Sequence, residues 1–131
     1  MPHFSFEYSA NVQDRVNPDD ICTAIHAAAI ESGLFELGAI RVRGFRADTT
    51  AIADRLDENG FLHLTVSVGA GRSVEARQAA GEVVWAALTG VLAPVFETPH
   101  FALTMEWREI DPLLSWKKNA IHPRLRAAKE T

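Results

Sequence analysis

The sequence predicts an α+β fold in which two tandem β-α-β units form one four-stranded sheet with two helices on one face. Three observations predict it. Apolar and polar residues alternate in four short stretches, near residues 4–9, 38–45, 61–68 and 100–107, the period of half-buried strands. Apolar residues recur at helical spacing in two stretches, one inside each pair of strands. The order strand–helix–strand then occurs twice, about sixty residues apart: aligning His3 with His63 lays Phe4-Ser5-Phe6 over Leu64-Thr65-Val66. Two such units with right-handed crossovers close into a single sheet. The expected organisation is one domain over 1–131, with pseudo-repeats at about 2–46 and 61–108 and a tail over 109–131.

In the first strand Phe4, Phe6 and Tyr8 alternate with Ser5, Glu7 and Ser9. Pro2 stands at its tip, where a missing N–H costs no ladder bond. Asn17-Pro18-Asp19-Asp20 starts the first helix: Asn17 caps, Pro18 suits the first position and two acids meet the positive dipole end. Ile21, Ile25, Ala28 and Ala29 face the core, and Gly33 stops the helix. Over 38–45 Ile40 and Val42 point one way and Arg41 and Arg43 the other. The polar stretch 47–60 is a connector, compatible with a short helix or a hairpin arm, and ends in the tight-turn pair Asn59-Gly60. Leu62, Leu64, Val66 and Val68 point inward from the third strand, leaving His63, Thr65 and Ser67 on a face that solvent or another subunit must cover. Ser73 caps the second helix, which ends before Pro94. Over 100–107 the fourth strand follows, then a tail whose 111–116 stretch has Leu113, Leu114 and Trp116 but no helix of its own.

Composition excludes several classes of function. With 47% hydrophobic and 23% charged residues and no long apolar run, the chain reads as soluble, neither membrane-spanning nor secreted. One cysteine, Cys22, forbids an intrachain disulfide and suits the cytoplasm. The five histidines lack metal-ligand spacing. Net charge is −4, yet the tail from Lys117 is basic, with Lys118, Arg124, Arg126 and Lys129. Overall acidity and the lack of interleaved aromatics point to a solvated or subunit-facing tail rather than nucleic acid.

The residues that can do chemistry are Pro2, Arg41, Arg72 and, in second line, Arg43. Freed of Met1, Pro2 is a secondary amine. Burial and nearby guanidinium groups both disfavour its charged form and move its pKa toward neutrality, where a base works best. From the residues alone the plainer reading of Pro2, a residue that follows the start and favours Met1 removal, outweighs the base. Arg41 and Arg43 share a strand face: a solvated face, or a fork matching a carboxylate. Arg72 lies between Gly71 and the cap Ser73, where free N–H groups and a dipole end favour an anion. A plain capped turn reads the same way.

Several blocks in order, Pro2-His3-Phe4 with Glu7-Tyr8-Ser9-Ala10-Asn11, Gly38-Ala39-Ile40-Arg41, Gly71-Arg72-Ser73-Val74-Glu75-Ala76-Arg77, Glu109-Ile110-Asp111-Pro112, Trp116-Lys117-Lys118-Asn119 and Ile121-His122, resemble the 5-carboxymethyl-2-hydroxymuconate isomerase family of the tautomerase superfamily. The likeness covers nearly the whole chain. It implies a fused duplication in which the first half keeps the proline and the strand arginine, Pro2 and Arg41, and the second keeps the Gly-Arg-Ser turn with Arg72. It further implies a homotrimer whose sheets line a barrel, no metal or organic cofactor, and a small carboxylate substrate from the homoprotocatechuate branch of aromatic catabolism. Pro2 would be the base of a 1,3-proton shift, with Arg41 and Arg72 holding carboxylates. Another unsaturated oxo or enol acid as substrate, or a non-catalytic oligomeric binder, remains open at this point. The stretch 47–59 departs from the family pattern.

Overall fold

The computed structural model describes residues 1–130. Four strands, β1 (His3–Ser9), β2 (Arg41–Ala47), β3 (Gly60–Gly69) and β4 (Phe101–Ile110), form one sheet in the order β2-β1-β3-β4. β1 pairs antiparallel with β3 at the centre, and each is parallel to the outer strand of its own unit. A parallel pair needs a crossover, supplied by helix α1 (Pro18–Glu31) between β1 and β2 and α2 (Val74–Val91) between β3 and β4. His3 lies opposite both Arg41 and Ser67, and Gly69 opposite Ile110. The starts of β1 and β2 and the ends of β3 and β4 therefore meet at one edge of the sheet, and this edge is where the cations gather.

Alternation puts Phe4, Phe6, Leu62, Leu64, Val66 and Val68 on the helix-covered face, all at 0% exposure, against Ile21, Ile25, Val84 and Leu88, also at 0%. Each contributes about 1.5–3 kcal/mol on transfer from water. The two helix starts follow the expected chemistry: Asp19 N–H donates to Asn17 Oδ1 at 2.9 Å and Ala76 N–H to Ser73 Oγ at 3.1 Å. Gly33, at φ +68°, ends α1 in a conformation that favours glycine.

Three expectations need correction. The second strand begins at Arg41, not Gly38, because Leu37–Ala39 forms a 3₁₀ turn. There Asn119 Nδ2 donates to Gly38 O at 2.9 Å, and the buried glycine lies against His122. Asn59-Gly60 is no hairpin turn, since β2 and β3 are not neighbours. Gly60 starts β3 because a Cβ there would stand 2.8 Å from Asn11 Oδ1 and 2.9 Å from Ser9 Oγ. The connector is neither helix nor hairpin arm but a series of turns, held where Asn11 Nδ2 donates to Asn59 O at 2.9 Å. Finally the tail is structured. Pro112–Leu114 makes a 3₁₀ turn and α3 (Ile121–Glu130) is a third helix, docked on the chain's own Leu37–Ala39 turn. Asn119 Oδ1 accepts from the N–H groups of Ile121 and His122 at 2.7 and 3.1 Å, and Arg126 donates twice to Glu36 at 2.6 and 2.7 Å.

Candidate active site

Four segments converge on the edge where β1 begins: the chain start, the entry into β2, the turn from β3 to α2, and the tail leaving β4. Pro2 is buried and Met1 half-buried. Arg41, half-buried, leaves the first position of β2 on the polar face of the sheet and donates from Nη1 to Ala39 O at 3.4 Å. The β3–α2 turn passes through Gly71 at φ +108°, which delivers Arg72 back toward the sheet. Its guanidinium donates to Gly69 O at 3.3 Å and Leu34 O at 3.2 Å and lies with Cζ 5.1 Å from the centre of the Phe35 ring. Phe35 is itself fixed edge-on to Phe4 at 5.9 Å and stacked on Trp107 at 6.3 Å. A cation resting on an aromatic face with two neutral acceptors is oriented without being neutralised.

The lack of neutralisation is general at this edge. Arg15, Arg46, Arg77, Arg108 and Arg126 each reach a carboxylate within 4.0 Å. Among the described residues no carboxylate pairs with Arg41, Arg43, Arg72 or Lys117. Lys117 lines a cavity of ≈ 320 Å³ together with Met1, Gly69, Ala70, Ile110, Pro112 and Ser115. The Met1 amine is held below the ordinary α-amino range, first by burial and then by the charges of Lys117, Arg72 and Arg41. Those three positive charges thus act on the same nitrogen. Arg43, exposed, is engaged elsewhere. Its Nη1 donates to His3 Nδ1 at 3.1 Å, leaving the imidazole proton on Nε2. Burial, then Arg43 and Arg41, push the His3 pKa down. A roomier groove of ≈ 650 Å³ runs between α2 and β4. Its guanidinium, Arg77, is committed to Glu109 at 3.4 Å, so the smaller cavity at the chain start is the better place for anion chemistry.

The structure therefore brings Pro2, Arg41 and Arg72 to one edge and leaves Arg43 bound to His3. Sequence reasoning misses Lys117, Phe35 and Asn119. It groups Lys117 with a solvated tail, although the block Trp116-Lys117-Lys118-Asn119 is the available signal. Phe35 has no periodicity around it to mark it. Chemically, a poorly protonated amine beside unpaired cations can remove a proton from an acidic group and hold the anion that results.

This architecture, two β-α-β units in one four-stranded sheet, is that of the tautomerase fold. At 15% identity a fused 4-OT solved as a symmetric trimer superposes over 88% of this chain and 93% of its own with a TM-score of 0.62, a likeness of fold alone. Closer relatives narrow the class. The profile of the 5-carboxymethyl-2-hydroxymuconate isomerase family matches residues 2–125. The 5-carboxymethyl-2-hydroxymuconate Delta-isomerase of Escherichia coli is 34% identical over 122 residues, covering 93% of this chain and 97% of its own length. A crystal structure of a 5-carboxymethyl-2-hydroxymuconate isomerase from Deinococcus radiodurans R1 is 32% identical, covers 96% of this chain and 95% of its own, and has a TM-score of 0.89. The chain belongs to the 5-carboxymethyl-2-hydroxymuconate isomerase family, a family of enzymes.

Proposed function

We propose that the chain is a cofactor-free isomerase of 5-carboxymethyl-2-hydroxymuconate, acting in homoprotocatechuate breakdown with the nitrogen of Pro2 as its base once Met1 is removed. The observation that carries this reading is the position of the chain start: a buried proline beside an amine whose proton is disfavoured by burial and by Lys117, Arg72 and Arg41. Removal of Met1 would leave the secondary amine of Pro2 at this same edge, and its free base is the form that accepts a proton.

The reaction is an internal proton transfer. Pro2 takes the proton of the enol hydroxyl, the enol C–O bond becomes a carbonyl, and the electron pair moves along the conjugated chain to a carbon that receives a proton from the prolinium. Composition is unchanged, and one C=C has moved. Arg41 and Arg72 hold carboxylates and draw the developing negative charge toward the carbonyl end, which lowers the barrier where charge accumulates. Their lack of carboxylate partners supports this role, because a paired guanidinium would first have to release its own anion. Likeness to solved tautomerase trimers supports a homotrimer as the working form.

The test is an ultraviolet assay of 5-carboxymethyl-2-hydroxymuconate beside 2-hydroxymuconate, with the intact mass of the protein measured in parallel. The expected result is a higher kcat/KM for the first compound by protein that begins at Pro2, and loss of turnover by about 10²–10⁴-fold in protein that keeps Met1, the usual worth of a positioned base. Near-normal turnover by protein that keeps Met1 would remove the Pro2 nitrogen from the mechanism.

A further inference from the structure

The two β-α-β units each supply one guanidinium to the chain-start edge: Arg41 opens β2 and Arg72 precedes α2. A third cation comes from neither unit. Lys117 belongs to the tail beyond β4 and lines the cavity with Met1, Gly69 and Ala70. No carboxylate pairs with it among the described residues, while Lys118, its neighbour in sequence, is not among the cavity-lining residues. Gly69 ties the two parts of the site together, because its carbonyl accepts from Arg72 Nη1 at 3.3 Å and its backbone also borders the cavity that Lys117 lines. An anion lying in this cavity thus meets Lys117 at its wall, with the Arg72 guanidinium one hydrogen bond behind Gly69.

Resting on the isomerase reading above, we propose that Lys117 is a specificity-determining residue that binds the branch carboxylate of a tricarboxylate substrate, leaving the two end carboxylates to Arg41 and Arg72. The charge count agrees. A muconate skeleton has two carboxylates and the carboxymethyl branch adds a third, against three cations at this edge that no protein carboxylate occupies among the described residues; Arg43 is taken up by His3. The residue types agree as well. Planar guanidinium forks suit the two carboxylates conjugated with the reacting chain, whose orientation matters, whereas a single flexible ammonium suits a carboxylate on a freely rotating methylene.

The position of Lys117 is built rather than incidental. Asp111 Oδ1 accepts from Leu113 N–H at 2.9 Å and shapes the turn at the start of the tail. Two residues after Lys117, Asn119 is bound to Gly38 O at 2.9 Å and receives the first N–H groups of α3. The backbone is therefore anchored on the far side of the lysine, to the wall that leads into Arg41.

The test separates binding from turnover. Propane-1,2,3-tricarboxylate and glutarate are titrated calorimetrically into the wild type, Lys117→Gln, Lys117→Arg and Lys118→Gln, and the kinetics of the tricarboxylate and dicarboxylate muconates are measured in parallel. Losing one charge-assisted contact is expected to weaken the triacid by about tenfold and the diacid by less than about threefold in Lys117→Gln, through KM more than kcat. Lys117→Arg should restore the discrimination and Lys118→Gln should leave it intact. In Lys117→Gln the acid limb of kcat/KM should also move to higher pH, because a charge that disfavours protonation of the amine is gone. Equal weakening of both ligands, no weakening, or the same loss in Lys118→Gln would overturn the proposal. The calorimetric arm needs no catalysis, so full turnover by protein that keeps Met1 would strike the base assignment without touching this result.

Discussion

Arg72 is the residue whose surroundings say most about its work. Its guanidinium gives hydrogen bonds to two neutral carbonyl groups and rests on Phe35, so its charge is aimed but unspent. We expect Arg72→Ala to lower kcat/KM by about 10–10²-fold, the worth of one or two charge-assisted hydrogen bonds. Arg72→Lys should recover little, since an ammonium cannot span Gly69 O and Leu34 O while lying flat on a ring; steady-state kinetics of the two variants decide this. The pH dependence follows from the amine. With Met1 in place it is the Met1 amine whose proton is disfavoured by burial and by the charges of Lys117, Arg72 and Arg41. On the isomerase reading the freed Pro2 nitrogen meets the same charges, and only its unprotonated form is a base. We therefore expect kcat/KM to fall as pH is lowered through a pKa below the ordinary α-amino range, and to be flat above it. His3 gives a second, separable titration. Its pKa is lowered in the folded chain by burial, then by Arg43 and Arg41, so between that value and the ordinary one the unfolded chain binds more protons. Stability contributed by neutral His3 is thus present above the ordinary histidine pKa and is lost as pH falls through that window. Arg43→Ala removes one cause and should raise the His3 pKa, read from its ring resonances by NMR.

At the scale of elements, the contrast between β2 and α3 shows what patterns in a sequence can reveal. The alternation of Val42 with Arg41 and Arg43 locates β2, and Asn17 and Ser73 locate the helix starts, because caps and periods are local physics. The boundary of β2 is not local, because Gly38 is buried by His122, a residue remote from it along the chain. α3 escapes sequence reading for a related reason. It is strongly polar, Pro123 falls in its first turn, and it is fixed chiefly by Asn119 on Gly38 and by Arg126 on Glu36. Neither pairing has a period. The candidate site is legible in so far as its groups are marked by backbone signals: Pro2 at a strand tip, Arg41 in an alternation, Arg72 before a cap. Lys117 is held by tertiary anchors alone and carries no such mark. Two substitutions test the elements. In Gly44→Ala the new methyl would run into the Phe6 ring, which crosses over that glycine and is 0% exposed. With no room for the ring to retreat we expect a loss of about 1–3 kcal/mol in chemical denaturation. Asn119→Ala removes both the acceptor for the first turn of α3 and the bond to Gly38. We expect about 1–2 kcal/mol less protection of α3 amides in hydrogen exchange, together with a raised KM, since Lys117 and the entry to Arg41 hang on the same anchor.

The whole molecule leaves one sheet face uncovered. Opposite the helices, His3, Ser5, His63, Thr65 and Ser67 are half-exposed, and Glu106, whose pKa is lowered by hydrogen bonds from Arg108 and His63, lies in the open beside them. Both outer strands also have a free edge, and Phe45 on β2 is 53% exposed, Leu113 and Trp116 beyond β4 85% and 84%. Unpaired edges and large exposed apolar side chains are liabilities in a monomer and ordinary features of a subunit. A homotrimer whose sheets face one axis would cover the polar face with its own copies and place the edges against neighbours. Light scattering should then give about three times the 14.4 kDa chain mass. Phe45→Glu sets a charge on a free edge where a neighbour would pack, and buried unpaired charge is costly at an interface. We expect that variant to shift toward monomer at low concentration and, on the reading that the trimer is the working form, to lose activity in step with mass. Full activity in a monomeric Phe45→Glu would mean that one chain holds the complete site, with assembly serving only to cover the sheet.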